Sequence, residues 1–187
     1  MPANAQVTLF VCANSARGGV VPPSGVRQPP TLPLVQWPFS VQEILLPCAG
    51  RVQPEHILKA FEAGADLVGV IACKEDNCHY LEGSPRARNR VDFVRLLLDE
   101  LGLGGKRLLF FQLPGSARED MALGCTAGVP PVAAGHGQDA RATEELAGRL
   151  RAIAEEIAAK LKELGTTPLR KSGLPMTTDG QGVRTVT

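Results

Sequence analysis

Two cysteines at the end of one apolar run constrain this chain more than any other feature. Leu67-Val-Gly-Val-Ile-Ala72 has the length of a strand and runs straight into Cys73; the polar loop Lys74-Glu-Asp-Asn77 then carries Cys78, His79 and Tyr80. An unbroken aliphatic run of that length reads as a strand buried on both faces, the pattern of a parallel sheet covered by helices. Open sheets of that kind bind ligands outside the carboxyl ends of their strands. Two thiols in that place read as a site.

The remaining chain supplies the other pieces of such a sheet. Val7 to Val11 is β-branched and aliphatic and breaks at Cys12 into a loop, Ala13 to Gly19, giving a first buried strand. Between Val20 and Pro38 six prolines exclude a regular crossover helix, because each removes a donor and restricts the residue before it. That connection is expected to be irregular, either a surface loop or an arm docked on a partner. A second strand is centred on Ile44-Leu45-Leu46 within Gln42 to Pro47 and is followed by Cys48. Pro54 and Glu55 suit the first turn of a helix, Ile57, Leu58, Phe61 and Ala65 mark its apolar face, and Gly64 suits its end. The helix leads into the third strand, Leu67 to Ala72, as a right-handed β-α-β unit. Tyr80 to Pro85 reads as a turn. Residues 86 to 101 read as a helix with the stripe Val91, Val94, Leu98 and Leu101, stopped by Gly102. Arg86, Arg88 and Arg90 in its first turns oppose the helix dipole and read first as solvated, with an external anion or acidic partner as the alternative. Arg107 to Leu113 is a fourth strand. A last helix, capped by Asp139 or Thr143, runs to Leu164 with Leu146, Leu150, Ile153, Ile157, Leu161 and Leu164 at helical spacing, and Gly165 ends it.

These elements predict an α/β fold: a small open parallel sheet of about four strands with flanking helices, flavodoxin- or Rossmann-like. Residues 1–165 form one domain, and 166–187 a polar tail that is flexible or docked on a partner. Residues 117–139, with Cys125 and His136, fit no element.

Composition removes several function classes. In 187 residues the formal net charge is +1 and no Lys/Arg stripe stands out, so neither nucleic acid nor an anionic membrane is an expected partner. Aromatics are 4% of residues, too few for a base-stacking platform. No run of 18 apolar residues is long enough to span a bilayer, and the N-terminus lacks the basic-then-apolar order of a secretory signal. A cytoplasmic location without membrane insertion is the expectation. In a reducing compartment five cysteines read as metal ligands, catalytic thiols or core residues before they read as disulfides. Glycine-rich phosphate loops, a Walker loop and a Gly-x-Ser-x-Gly elbow are all missing.

Cys12, Cys48 and Cys73 each close a strand and Cys78 lies in the third strand's loop. Neighbouring strands lie about 4.8 Å apart, so loops on one sheet edge can converge. Four convergent thiolates suit a tetrahedral metal or an iron-sulfur cluster; without a Cys-x-x-Cys knuckle, spacing alone leaves both zinc and [2Fe-2S] open. Loop amides near Ala49, Gly50, Lys74 and Asn77 are expected to donate to the sulfurs. Small buried core residues are the competing reading of these cysteines, and a thiol-disulfide enzyme would need a Cys-x-x-Cys pair that is absent; on the metal reading catalysis by the chain itself is not expected.

Three stretches carry a family resemblance: Cys48-Ala-Gly-Arg-Val52, Pro54-Glu-His-Ile-Leu-Lys-Ala-Phe-Glu-Ala-Gly-Ala-Asp66, and Cys73 with Asp76-Asn-Cys-His-Tyr-Leu-Glu-Gly83. They resemble the delta, or iron-sulfur, subunit of methyl-viologen-reducing, F420-non-reducing hydrogenase. The resemblance implies a [2Fe-2S] electron carrier between a hydrogenase, formate dehydrogenase or similar donor and the flavin-containing subunit of a heterodisulfide reductase. It implies cluster ligands Cys12, Cys48, Cys73 and Cys78. Ser15 stands where that family commonly has a further cysteine. Ser15, Arg51 and His79 are the candidates to tune the centre or touch a partner, and zinc remains the alternative to the cluster.

Overall fold

The computed structural model describes residues 5–16, 36–113 and 139–169. Four parallel strands form one open sheet: β1 (Gln6–Cys12), β2 (Ser40–Leu46), β3 (Leu67–Cys73) and β4 (Leu108–Leu113), in the order β2-β1-β3-β4. The α/β architecture is the expected one. Every register is parallel, with Cys12 opposite Leu46, Val11 opposite Ile71 and Cys73 opposite Leu113. The chain steps from β1 to one side for β2 and then returns to the other side for β3. The direction of winding therefore reverses between β1 and β3, where sheets of this class open a crevice.

Period-two alternation sends the strand side chains to two separate cores. Val7, Leu9 and Val11 of β1, with Leu67 and Ile71 of β3, pack beneath α4 (Asp139–Leu164) on its Leu150, Ile153, Ile157 and Leu161. Phe10, Val68 and Val70 face the opposite way, against Ile57 and Phe61 of α2 (Pro54–Glu62) and Val91, Val94 and Leu98 of α3 (Gly83–Glu100). Fully burying each such aliphatic side chain is worth about 1.5–3 kcal/mol, so the helical stripes are what hold the layers together.

Several boundaries differ from the sequence expectation. The loop after Cys12 begins with a one-turn helix, α1 (Ala13–Ala16), and a 3₁₀ turn, Gly105–Arg107, precedes β4. Helix α3 starts at Gly83, three residues before Arg86, because Pro85 lies within its first turn, where a missing amide costs nothing. Leu101, expected in the apolar stripe, is 66% exposed: the helix ends at Glu100, and Gly102 at φ 72° turns the chain away. Of the expected tail, Thr167 is buried and its N–H donates to Asp66 Oδ1 at 2.8 Å. Trp37, near the end of the proline-rich connection, packs on the α4-side core beside Phe39. Residues 17–35, which hold most of that connection, and residues 114–138 and 170–187 lie outside the described residues. No helix among the described residues is long and apolar enough to cross a membrane.

Candidate metal centre

Cys12 ends β1 and Cys73 ends β3, the two central strands, so pairing alone places their thiols together at the winding reversal. Their sulfurs are 3.6 Å apart. Two thiolates held at about 2.3 Å by one tetrahedral metal stand roughly 3.8 Å apart, so this pair already has the spacing of ligands to a single ion. Cys48 follows β2 by two residues and caps the 3₁₀ turn Ala49–Arg51. Cys78 ends a second 3₁₀ turn, Glu75–Asn77, and its sulfur lies with that of Cys48 against Gly83. The four thiols thus meet as two pairs, and none is more than 9% exposed. Among the described residues no three His, Cys, Asp or Glu side chains already stand around one ion position.

Glycines let the backbone close over the second pair. A Cβ on Gly83, the first residue of α3, would collide with Cys48 Sγ and lie 3.4 Å from Cys78 Sγ. A Cβ on Gly50 would lie 2.9 Å from Gly83 Cα. Only hydrogen fits at either place. The start of an 18-residue helix, with its partial positive charge, is thereby brought against two sulfurs.

Backbone amides finish the sulfur environment. Cys12 Sγ accepts from the N–H groups of Ala49, Asn14 and Ser15, Cys73 Sγ from that of His79, and Cys48 Sγ from that of Gly50 at 3.4 Å. Ala49 and Gly50 act as the sequence suggested. Lys74 and Asn77 do not: the Lys74 amide donates to Leu113 O at 2.9 Å, continuing the β3-β4 ladder, and the Asn77 amide closes its own turn on Lys74 O. Titration follows from this arrangement. The hydrogen bond from Cys73, aided by the amides and opposed by burial, lowers Cys12 to about 6. Cys73, as donor in that bond and buried beside the Cys12 and Cys78 charges, is pushed up, and burial raises Cys48. Cys12 is thus eased toward thiolate while Cys73 and Cys48 are held as thiols, and a bound cation would offset the cost of deprotonating those two in a buried edge.

The loops bearing the thiols are strapped down by side chains whose importance short-range patterning hid. Arg90 Nη1 donates to Gly50 O at 2.6 Å and to Val52 O at 2.9 Å, fixing the turn after Cys48. Arg88 donates to Glu75 Oε1 at 2.8 Å and Gln112 Oε1 at 2.9 Å while lying over the Phe110 ring. Neither is a free surface cation. Gln112 reaches Ser84 Oγ, and Ser84 Oγ donates to Cys73 O at 2.5 Å. Asn14 Nδ2 donates to Pro47 O at 2.9 Å, tying the exits of β1 and β2 together.

The three remaining candidates separate. Ser15 is buried and its Oγ donates to Cys12 O at 3.0 Å, so it supports the backbone of a thiol residue, and its amide supports the sulfur. His79 gives its amide to Cys73 Sγ and sets its half-buried ring edge-on to Tyr80, with centroids 4.8 Å apart. Arg51 is exposed at the end of its turn. Cys125 and His136 lie outside the described residues.

Known proteins share this sequence pattern. A family model described as "Methyl-viologen-reducing hydrogenase, delta subunit" matches residues 7–127. The iron-sulfur subunit of the vhu F420-non-reducing hydrogenase of Methanocaldococcus jannaschii is 42% identical over 84 residues, 44% of this chain and 63% of that protein. The subunit of the same name from Methanococcus maripaludis is 42% identical over 82 residues, 44% of this chain and 61% of that protein. A 74-residue match at 39% identity covers 40% of this chain. It occupies 9% of one subunit of the ferredoxin/F420H2-dependent CoB-CoM heterodisulfide reductase of Methanosarcina acetivorans. The chain thus spans less than two thirds of the length of these relatives.

Proposed function

The chain belongs to the methyl-viologen-reducing hydrogenase delta-subunit family, and on that premise we propose that it is an electron-transfer subunit holding one [2Fe-2S] cluster on Cys12, Cys48, Cys73 and Cys78. The observation that carries this reading is the gathering of four buried thiols at the carboxyl edge of the sheet, Cys12 against Cys73 and Cys48 with Cys78 against Gly83. Two irons each need two thiolates, and the residues supply two pairs. Such a cluster supplies one-electron chemistry when bound.

The chain's own residues do the remaining work. The amides of Ala49, Asn14, Ser15, Gly50 and His79 place hydrogen bonds on the sulfurs, and the start of α3 adds positive potential. Both favour the more negative, reduced state of a centre and so raise its potential. Arg90, Ser84 and Asn14 hold the loops still. Rigid, dry surroundings keep reorganisation small as charge changes.

The partners in this reading are a hydrogenase, formate dehydrogenase or similar donor, and the flavin-containing subunit of a heterodisulfide reductase in the cytoplasm. Support for the latter comes from the methanosarcinal relative, in which a segment like this one lies within the chain of a heterodisulfide reductase subunit. Iron, acid-labile sulfide and zinc, measured on anaerobically purified protein, test the reading. Two irons and two sulfides per chain, with colour that bleaches on dithionite, are the expected result. Zinc is the second reading because the 3.6 Å Cys12-Cys73 spacing suits any tetrahedral metal. One colourless zinc per chain would make this a structural interaction subunit.

A further inference from the structure

Positive charge is unfavourable at the start of a helix, yet α3 carries Arg86, Arg88 and Arg90 in its first two turns. Arg86 pairs with exposed Glu82, and Arg90 holds the turn after Cys48. Arg88 does neither. Its guanidinium lies 5.0 Å from the centre of the Phe110 ring, and Phe110 packs on the cluster that contains Cys12, Cys73 and Cys78. Its Nη2 donates to Gln112 Oε1 at 2.9 Å. Arginine can only donate, so the Gln112 oxygen faces it and the Gln112 N–H turns inward to Ser84 Oγ at 3.3 Å. Ser84, buried, donates in turn to Cys73 O at 2.5 Å. Every link points the same way, from the cation to the carbonyl of a thiol residue, and hydrogen bonds in such a chain polarise one another.

Glu75 opposes this charge. It lies in the turn between Cys73 and Cys78 and accepts from Arg88 Nε at 2.8 Å. With side chains 44% and 47% exposed, the pair contributes little to stability. It does set a matched positive and negative charge beside the thiols, with an aromatic ring and a buried hydroxyl in between. Charges act more strongly across such a medium than across water.

We infer that Arg88 and Glu75 set the reduction potential of the thiol-held centre in opposite directions, Arg88 raising it and Glu75 lowering it. The inference rests on the electron-transfer reading above. Reduction adds one electron to the bound centre, and no bond in this chain forms or breaks. A nearby cation favours the more negative state and a nearby anion disfavours it.

Potentiometric titration of the full chain with its iron bound, followed by electron paramagnetic resonance to a dithionite end point, tests this. At a fixed poise Arg88→Gln should lower the reduced-to-oxidised ratio about threefold to tenfold, a fall of about 30–60 mV for one electron, and Glu75→Gln should raise it by a similar factor. Both variants break the same ion pair, so a loosened loop alone would move the two potentials together. Lys160→Gln removes a positive charge near the C-terminal end of α4, on the amino side of the sheet, and should leave the ratio within about 1.5-fold of the parent. All three should keep the parent's iron content. If the parent holds no centre that dithionite reduces, the electron-transfer reading and this inference fall together. If the parent titrates and the two potentials do not move apart in these directions, this inference alone is overturned. An equal fall in Lys160→Gln would trace the shift to net charge and also overturn it. If Arg88→Gln loses its iron, Glu75→Gln decides, and a potential there at or below the parent's overturns the inference.

Discussion

The two ends of the sheet solve the same problem in opposite ways. At the amino end, buried Asp66 accepts from the amides of Gln6 and Thr167. Arg107, also buried, donates to the carbonyls of Leu103, Asp66, Leu164, Gly165 and Thr166, so it gathers the C-terminal end of α4 onto the sheet. The Arg107 donors and the Asp66 carboxylate of that latch end on the chain's own backbone, while the buried Thr167 Oγ1 has no partner among the described residues. At the carboxyl end four thiols are brought together, one of them donating to another, with amides and a helix start aimed at them. A sheet end whose charged groups are spent on its own backbone is structural. One that gathers four buried thiols carries a donor set of the kind a cation or cluster takes.

Substitutions at the two ends should therefore separate stability from metal content. The largest effect is expected for Cys73→Ser and Cys78→Ser, each of which should abolish the chromophore and bound iron while Cys125→Ser retains both. A coloured Cys73→Ser protein would break the comparison at its root. Next, Gly83→Ala forces a methyl group into Cys48 Sγ and should strip most of the metal, read as iron per chain, with the far-ultraviolet circular dichroism preserved.

Arg107→Ala should do the reverse. Loss of five carbonyl contacts from a buried guanidinium should cost about 3–5 kcal/mol in denaturant unfolding, with iron per folded chain unchanged. Equal metal loss in Arg107→Ala and Gly83→Ala would mean that the two ends are not independent. The smallest effect is a titration. In metal-free protein, ultraviolet thiolate absorbance should show the Cys12 thiolate above pH about 6, lost as pH falls through that value, where an unperturbed thiol titrates near 9.0. Cys73→Ala removes the donor and should move this midpoint upward.

How much of this was legible in the sequence depends on the range of the interaction. Apolar runs marked all four strands, and Gly64, Gly102 and Gly165, each at positive φ, marked the helix ends. Cysteines at strand termini marked the edge. The strand order was not readable, so nothing in the sequence said that Cys12 and Cys73 lie on adjacent central strands. Arg88 and Arg90 looked like solvated cations because their partners, Gln112, Gly50 and Val52, are 24 to 40 residues away. Arg107 looked like the start of a strand for the same reason, its farthest acceptor lying 59 residues on. The amide donors were only half foreseen: a short sequence names the loop, but Lys74 and Asn77 were already committed to the ladder and the turn. Leu101 failed because periodicity continues past the residue where the helix stops.

The central claim is that the carboxyl edge holds a redox centre and the amino edge a structural latch. Electron paramagnetic resonance of the anaerobically purified, dithionite-reduced protein tests it most directly. One S = 1/2 signal per chain, absent before reduction and absent in Cys78→Ser, is the predicted result. A protein with no signal on reduction and one zinc per chain would contradict it.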